Sequence, residues 1–322
     1  VQLHSFNFKT EWIPTSIRYN RKEKKMSILS FPERGKWGDS NWRGNCSGHI
    51  YQALFNQYKD VKSFCDPMMG SGTSIAVAKE MGLTAYGLDL HSGFNALRHS
   101  IRDTIGQEVD MCHSHPPYST IFGYSGCVWG DTPHPDDLSH SSNHEDFHEK
   151  MHLVLMNQRE ATKPGGYYGT LIGDLRKNGA YTSLQAECLT RMPANELVSV
   201  AIKAQHNTVS GRNTYSKMKH FAITHEYLLL WQKPKAPLSI LFDLSEMAKA
   251  QAARLQSAWR VIVAHAMMAL GGKASLGDLY KKISESAPDK LKSNENWQAK
   301  VRQILQVTPK FCSVERGVWA FA

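Results

Sequence analysis

The chain has 322 residues, 41% hydrophobic and 21% charged, the balance of a globular protein long enough for one large domain or a medium and a small one. No apolar run approaches the roughly 18 residues of a membrane span, no secretory leader is read at the start, and six scattered cysteines without a C-x-x-C pair argue against a zinc ribbon and a disulfide framework and for a reducing, cytoplasmic setting. The net charge of +9 is uneven: six Lys/Arg stand against two Glu over 1–30, twelve against seven Asp/Glu over 239–322, and 31–238 is balanced, so a polyanion gripped by the two ends is one reading and two solvated basic ends the other.

Residues 1–30 read as a basic arm, with Arg18-Tyr-Asn-Arg-Lys-Glu-Lys-Lys25 as its charged run. Residues 31–48 are loop-like, with four glycines, a proline and two tryptophans, too much aromatic area for a loop that packs on nothing. A helix is predicted from His49 to Tyr58, with Ile50, Leu54 and Phe55 on one face.

Phe64-Cys-Asp-Pro-Met-Met-Gly-Ser-Gly-Thr-Ser74 then ends a short apolar run with an acid, a proline and two glycines, and a helix closed by Gly82 follows. Strand, tight turn and helix present backbone N–H groups to a ligand at a helix N-terminus. A second strand, Leu83 to Leu90, carries Asp89, 17 residues after Gly72, where an acid binds ribose hydroxyls in a doubly wound sheet.

Val109 to His113 predicts a third strand, running into Ser114-His-Pro-Pro-Tyr-Ser119, a stiff corner where open α/β sheets bind ligands. Residues 119–145 form a long polar excursion of the kind that is functional or mobile. His134, His140, His144, His148 and His152 lack the spacing of metal ligands, and no metal site is expected.

A helix follows from Glu145 to Ala161, a turn and buried strand over Pro164 to Asp174, a helix over Leu184 to Met192, and strands over Leu197 to Lys203 and Phe221 to Trp231. The last two, flanking the polar loop 205–219, read as an antiparallel edge pair. Pro234-Lys-Ala-Pro237 reads as a linker. In 239–322 three amphipathic helices and a hairpin turning at Glu315-Arg-Gly317 make a winged-helix pattern, with Gln298, Lys300, Arg302 and Gln303 outward on the third helix.

The His115-Pro116-Pro117-Tyr118 corner suits a planar heterocycle with an exocyclic amine. Tyr118 can stack on the ring, while the Pro116 carbonyl and the His115 side chain can accept the two amine N–H bonds, leaving the nitrogen lone pair available to an electrophile. Asp66-Pro-Met-Met-Gly-Ser-Gly-Thr73 together with Ser114-His-Pro-Pro-Tyr118 resembles the DNA amino-methyltransferases, which methylate adenine N6 or cytosine N4 from S-adenosylmethionine; the resemblance runs over about residues 28–234. It implies an α/β Rossmann-like methyltransferase domain over 31–238, with a mostly parallel sheet and the antiparallel pair, and a winged-helix-like target-recognition domain over 239–322.

The resemblance assigns cofactor binding to Asn45, Cys46 and Ser47, to Asp66, Pro67 and Met68, to Gly70, Ser71, Gly72 and Thr73, and to Asp89 and Leu90. Catalysis falls to His115, Pro116, Pro117 and Tyr118. The implied partner is double-stranded DNA whose target base is flipped out, touched by Asn207, Arg212, Lys217, Gln298, Lys300 and Arg302, in a cytoplasmic, nucleoid-associated protein; a cognate restriction endonuclease stays open. His115 departs from the Asp, Asn or Ser usual at its position, so adenine is only the favoured base, with cytosine the other. Because only a neutral imidazole accepts a hydrogen bond, activity is expected to fall as His115 protonates, near pH 6.5 or below. An RNA base methyltransferase and a catalytically inactive DNA-binding regulator on the same fold are the competing readings.

Overall fold

The computed structural model describes residues 26–206, 220–236, 248–249, 258–286, 291 and 295–322. The chain divides into two compact units, Val1–Pro237 and Leu238–Ala322.

The first unit is built on a seven-stranded sheet: β1 (Ile28–Ser30), β2 (Ser63–Asp66), β3 (Thr84–Gly87), β4 (Val109–Ser114), β5 (Thr162–Ile172), β8 (Leu197–Ala204) and β9 (His225–Gln232). Their order is β1-β8-β9-β5-β4-β2-β3. Strands β3, β2, β4 and β5 pair in parallel, β1 pairs in parallel with β8, and β9 alone runs against its neighbours. This is the expected doubly wound, mostly parallel sheet. The antiparallel pair β8–β9 is present, with one short strand outside it: Ile28 lies opposite Ile202, so the end of the predicted basic arm is edge strand. Three residues are too few to show a period-2 pattern.

Helices α1 (Gly48–Gln57), α2 (Thr73–Glu80), α3 (Ile101–Ile105), α4 (His144–Glu160) and α5 (Leu184–Arg191) flank the sheet. The predicted helix at His49 begins one residue earlier, because Ser47 has extended dihedrals as its N-cap. Ile50, Tyr51, Leu54 and Phe55 of α1 pack with Phe64 of β2 and Val77 and Ala78 of α2 in one core cluster. β2 is buried along its whole length, as a parallel strand covered on both faces must be.

The chain leaves β2 through α2 to reach β3 on one side, then crosses to β4 on the other side of β2. That reversal is the topological switch point, and ligands of such sheets bind outside the carboxyl ends of the strands there. Because β9 is reversed, its first residues share that edge: Tyr227 lies opposite Ile172 and Glu226 opposite Lys203.

A hairpin, β6 (Leu175–Lys177) and β7 (Ala180–Thr182), follows β5. Its turn residues Asn178 and Gly179 have φ of 52° and 82°, the pair of positive values that a two-residue hairpin loop requires. The Asn-Gly dipeptide was the available signal for this unpredicted element.

The second unit has helical residues 258–269 (α6), α7 (Leu276–Ser286), α8 (Trp297–Val307) and a three-stranded sheet of β10 (Lys273–Ser275), β11 (Phe311–Glu315) and β12 (Val318–Phe321) in the order β10-β12-β11. Ser275 caps α7 by accepting from the Asp278 N–H at 3.1 Å. Val263, Met267, Leu279, Ile283, Val301, Ile304 and Leu305 form its core. The unpredicted strand β10 pairs Ala274 with Trp319 and joins the hairpin to the segment between α6 and α7. Among the described residues no helix is long and apolar enough to cross a membrane.

Candidate active site

A cleft opens at the switch point, where ligands of open α/β sheets bind. Its floor is the turn after β2. The Asp66 carboxylate accepts from the Met68 N–H at 2.9 Å and from the Ser74 hydroxyl at 2.5 Å, tying strand end to helix start. Asp66 is 2% exposed, and burial raises its pKa to about 7 against the opposing hydrogen bonds from Ser74 and Met68.

Gly70 has φ of 51°, and a Cβ there would stand 2.9 Å from the Trp42 indole nitrogen, so the turn depends on glycine for conformation and for space. The Gly70 N–H donates to Asp89 at 2.8 Å, which locks the end of β3 to the turn. The second Asp89 oxygen accepts from the His91 N–H at 3.1 Å and meets the His91 ring nitrogen at 2.7 Å. A carboxylate has about four acceptor sites, so Asp89 keeps capacity for hydroxyl donors from the cleft.

Two loops wall the cleft. From the first come Trp42, Arg43, Gly44, Asn45 and Cys46. The Arg43 guanidinium lies 3.6 Å from the Phe122 ring centre, and the Asn45 amide oxygen accepts from the Thr73 hydroxyl. The second wall is the excursion after β4, which is ordered around one acid. Asp137, 3% exposed, accepts from the N–H groups of Ser125 and Ser139 at 2.8 Å each and from their hydroxyls at 2.7 Å each. Burial opposes its ionisation, but the hydrogen bonds from Ser125 and Ser139 outweigh it and hold the carboxyl below the usual carboxylate range. This knot brings Tyr124, Trp129 and Leu138 to the cleft.

At the end of β4, His115 and Pro117 line the cleft. Pro116 is buried and Tyr118 half-buried behind them. The Tyr118 hydroxyl lies 2.8 Å from His115 Nε2, with ring centroids 5.6 Å apart. Burial pushes the imidazole pKa down to about 4; the nearby Glu226 charge raises it and Lys203 lowers it. The ring is therefore neutral at neutral pH and can accept a hydrogen bond, and the acid transition moves well below the unperturbed 6.5. His113 and Ser114 are fully buried; His113 packs edge-on to Tyr51 at 5.9 Å and, desolvated, is held neutral with its pKa lowered to about 3. Neither lines the cleft beside His115, and Ser119 turns its hydroxyl towards His144 at 3.5 Å.

Of the residues singled out for cofactor binding, Asn45, Cys46, Asp66, Pro67, Met68, Gly70, Ser71, Thr73, Asp89 and Leu90 line one cleft with His115 and Pro117. Ser47 instead donates its hydroxyl to the Glu33 carbonyl at 2.7 Å. Gly72, with φ of 82°, is the left-handed N-cap of α2 beside the lining. Gln298 and Arg302 are exposed and Lys300 half-exposed on α8. Asn207, Arg212 and Lys217, and residues 1–25 of the arm, lie outside the described residues. Sequence reasoning missed Tyr51, Phe94, Asn95, Tyr124, Trp129 and Asp136; aromatic residues inside the Gly/Ser-rich excursion were the signal for Tyr124 and Trp129.

A glycine turn, a strand-end acid and a rigid aromatic corner around one cleft at a switch point define a ligand site of the doubly wound α/β class. No protein-family model and no curated protein matches the sequence. Among solved structures the chain is similar to TrmN from Thermus thermophilus, at 16% identity over 59% of this chain and 50% of that one, TM-score 0.37. It is also similar to a second Thermus thermophilus protein, provisionally named a DNA modification methylase and complexed with S-adenosylmethionine, at 19% identity over 44% of this chain and 55% of that one, TM-score 0.29. An S-adenosylmethionine-dependent methyltransferase from Methanosarcina mazei matches at 11% identity over 57% of this chain and 98% of that one, TM-score 0.32. The chain spans about half the length of the first two. With superpositions this loose, function has to be read from this chain's own residues.

Proposed function

We propose that the protein is an S-adenosylmethionine-dependent methyltransferase acting on the exocyclic amine of a base in DNA, with adenine N6 the favoured acceptor. The observation that carries this reading is the opening of the glycine turn with Asp89 and of the His115 corner into the same cleft. The residues fit the methyl donor: Asp89 has spare acceptor capacity for ribose hydroxyls, and the Gly70 turn, held to Asp89, lines the same cleft. When bound, S-adenosylmethionine supplies an electrophilic methyl group.

The chain's own residues would do the rest. Asp89 orients the donor from its ribose, and Trp42, Phe94 and Tyr124 exclude water. The neutral His115 ring accepts one N–H of the acceptor amine, and the Pro116 carbonyl, next to a residue without an N–H, accepts the other. Both bonds turn the amine lone pair out of conjugation and fix it towards the methyl group. After transfer the amine carries one proton too many, which leaves to His115 or to solvent.

DNA as the acceptor is supported by the excess of Lys/Arg over Asp/Glu in 239–322 and by the helix-and-hairpin second unit with Gln298, Lys300 and Arg302 on the face of α8 away from its core. Transfer of label from methyl-labelled S-adenosylmethionine to duplex DNA and, separately, to tRNA tests the reading. Label in duplex DNA that disappears in Asp89→Ala supports it; label in tRNA alone would replace DNA with RNA as the substrate.

A further inference from the structure

The hairpin β6–β7 and the chain entering β9 enclose a second groove, whose lining includes Arg176, Tyr181, His220, Phe221, Ile223 and His225. It shares no residue with the cleft, and the mechanism above does not use it. It lies on the same ligand edge as the His115 corner. The chain reaches the hairpin through Gly173, where a Cβ would meet Tyr118 Cε2 at 2.8 Å, so the hairpin starts against the ring of that corner. Lys177 of the hairpin donates to the Thr120 hydroxyl at 3.4 Å, two residues past Tyr118. His225 opens β9, next to Glu226 and Tyr227, and Tyr227 lies opposite Ile172 at the end of β5.

The hairpin ladder sets two of the lining side chains. Arg176 and Tyr181 lie directly opposite each other, and the guanidinium is 5.3 Å from the ring centre, within cation–π range. The Tyr181 hydroxyl donates to the buried Asp174 carboxylate at 2.7 Å, which fixes the ring, yet the residue stays 46% exposed. Asp174 is further engaged by the Ser183 hydroxyl and the Gln185 N–H. Arg176 donates to the Gly179 carbonyl at a long 3.5 Å, its Nε is buried without a hydrogen-bond partner, and it has no ion pair among the described residues. Phe221 is 96% exposed. Among the described residues no carboxylate lines the groove.

Fixed and exposed rings beside an unpaired cation suit a flat ligand that carries negative charge. An apolar partner would strip water from Arg176 without supplying a counter-charge. An acidic peptide would supply the charge and leave the rings without a stacking partner. A nucleotide supplies both: a base for the rings and a phosphate for the guanidinium. A base inside a duplex has its faces covered by its neighbours, so the ligand is an unstacked one.

We propose that this groove binds an unpaired nucleotide of the strand that carries the target base, with the base stacked on the Tyr181 and Phe221 rings and the phosphate on Arg176. Its place beside the target rests on the methyltransferase reading; the site itself does not. Holding a neighbouring nucleotide out of the stack lowers the cost of presenting the target base to the cleft.

Fluorescence anisotropy of the full-length protein with fluorescein-labelled single-stranded oligo(dT), at several salt concentrations, tests the site. Phe221 is too exposed to support the core, so Phe221→Ala keeps the fold; it is expected to weaken binding roughly tenfold with an unchanged salt slope, and Phe221→Trp to bind as the wild type does. Arg176→Gln is expected to weaken binding and to reduce the slope of log K against log salt by about 0.7, the value of one phosphate on a single strand. Photo-cross-linking with an oligonucleotide containing 5-iododeoxyuridine should mark the peptide that holds Tyr181 or Phe221. Wild-type affinity and slope in both Phe221→Ala and Arg176→Gln, with cross-links elsewhere, overturn the proposal. If both variants behave as described but the wild type methylates no nucleic acid, the groove stands and the methyltransferase reading falls. If the wild type methylates DNA and both variants bind and methylate as it does, the reading stands and the groove falls.

Discussion

His115 and Asp66 are both titratable groups displaced by burial, in opposite senses. For His115 the neutral ring is the working form, so activity is complete above about pH 4 and is lost as pH falls through it. The expected pH–rate profile has no His115 limb near 6.5, and an acid limb near about 4 that disappears in His115→Asn; a limb at about 6.5 that follows His115 would mean the ring is solvated. Asp66, raised to about 7, is only partly ionised at neutral pH in the free protein, and the cationic methionine end of a bound donor favours its ionised form. Affinity for S-adenosylmethionine should then rise about tenfold between pH 6 and 8, and calorimetry of Asp66→Asn should show that dependence flattened. The same shift has a stability consequence. Its folded pKa exceeds its unfolded value, so the stabilisation is full below about pH 4 and lost as pH rises through about 7. At this scale the sequence was informative about which residues meet and silent about their ionisation. Motif spacing placed His115 and Asp89 at strand ends, but the displacement of His115 comes from burial in the assembled fold, with the distant Glu226 opposing it and Lys203 adding to it.

Among the elements, the joint between β5 and β9 decides whether the ligand edge is assembled. A Cβ on Gly169 would stand 2.1 Å from the Leu229 carbonyl oxygen across the ladder. The contact is with backbone, which cannot step aside, so Gly169→Ala is expected to cost about 3 kcal/mol in urea unfolding. A second joint is the buried pair of Arg159 on α4 and Glu196 ahead of β8, at 2.7 Å, with the Tyr168 hydroxyl donating to the same carboxylate at 2.5 Å. Arg159→Met would leave Glu196 a buried, unbalanced charge and should lower stability by about 3–5 kcal/mol, read from the same unfolding curves. Long periodic elements were legible before the fold was seen: α4 and α5 lie within a residue or so of their expected bounds. Short ones were not. Strands β1, β6, β7 and β10 have three residues each and are fixed by their partners rather than by their own pattern. The excursion after β4 looked like loose polar chain because its order comes from Asp137, whose four hydrogen bonds link residues 12 apart and two apart.

For the whole molecule, the two units divide the proposed work: donor binding and chemistry in Val1–Pro237, and part of the grip on phosphate in Leu238–Ala322. Each has its own buried cluster, so a chain ending at Pro237 is expected to bind S-adenosylmethionine as the full chain does. It should bind duplex DNA more weakly and with a shallower salt dependence, because fewer phosphates are neutralised; equal DNA affinity at several salt concentrations would remove the second unit from the interface. The sheet, its switch point and the helical pattern of the second unit follow from hydrophobic period and turn residues, and were legible. The walls of the cleft come from loops whose contacts are set only when the sheet has formed, and were not.

The proposed chemistry stands or falls on whether this cleft holds a methyl donor facing the amine of a DNA base. Mass spectrometry of nucleosides from duplex DNA incubated with the protein and S-adenosylmethionine answers that question. The expected product is a base methylated on its exocyclic nitrogen, N6-methyladenine first, absent in Asp89→Ala. Unmodified nucleosides from DNA after incubation with a protein shown by calorimetry to bind S-adenosylmethionine would contradict it.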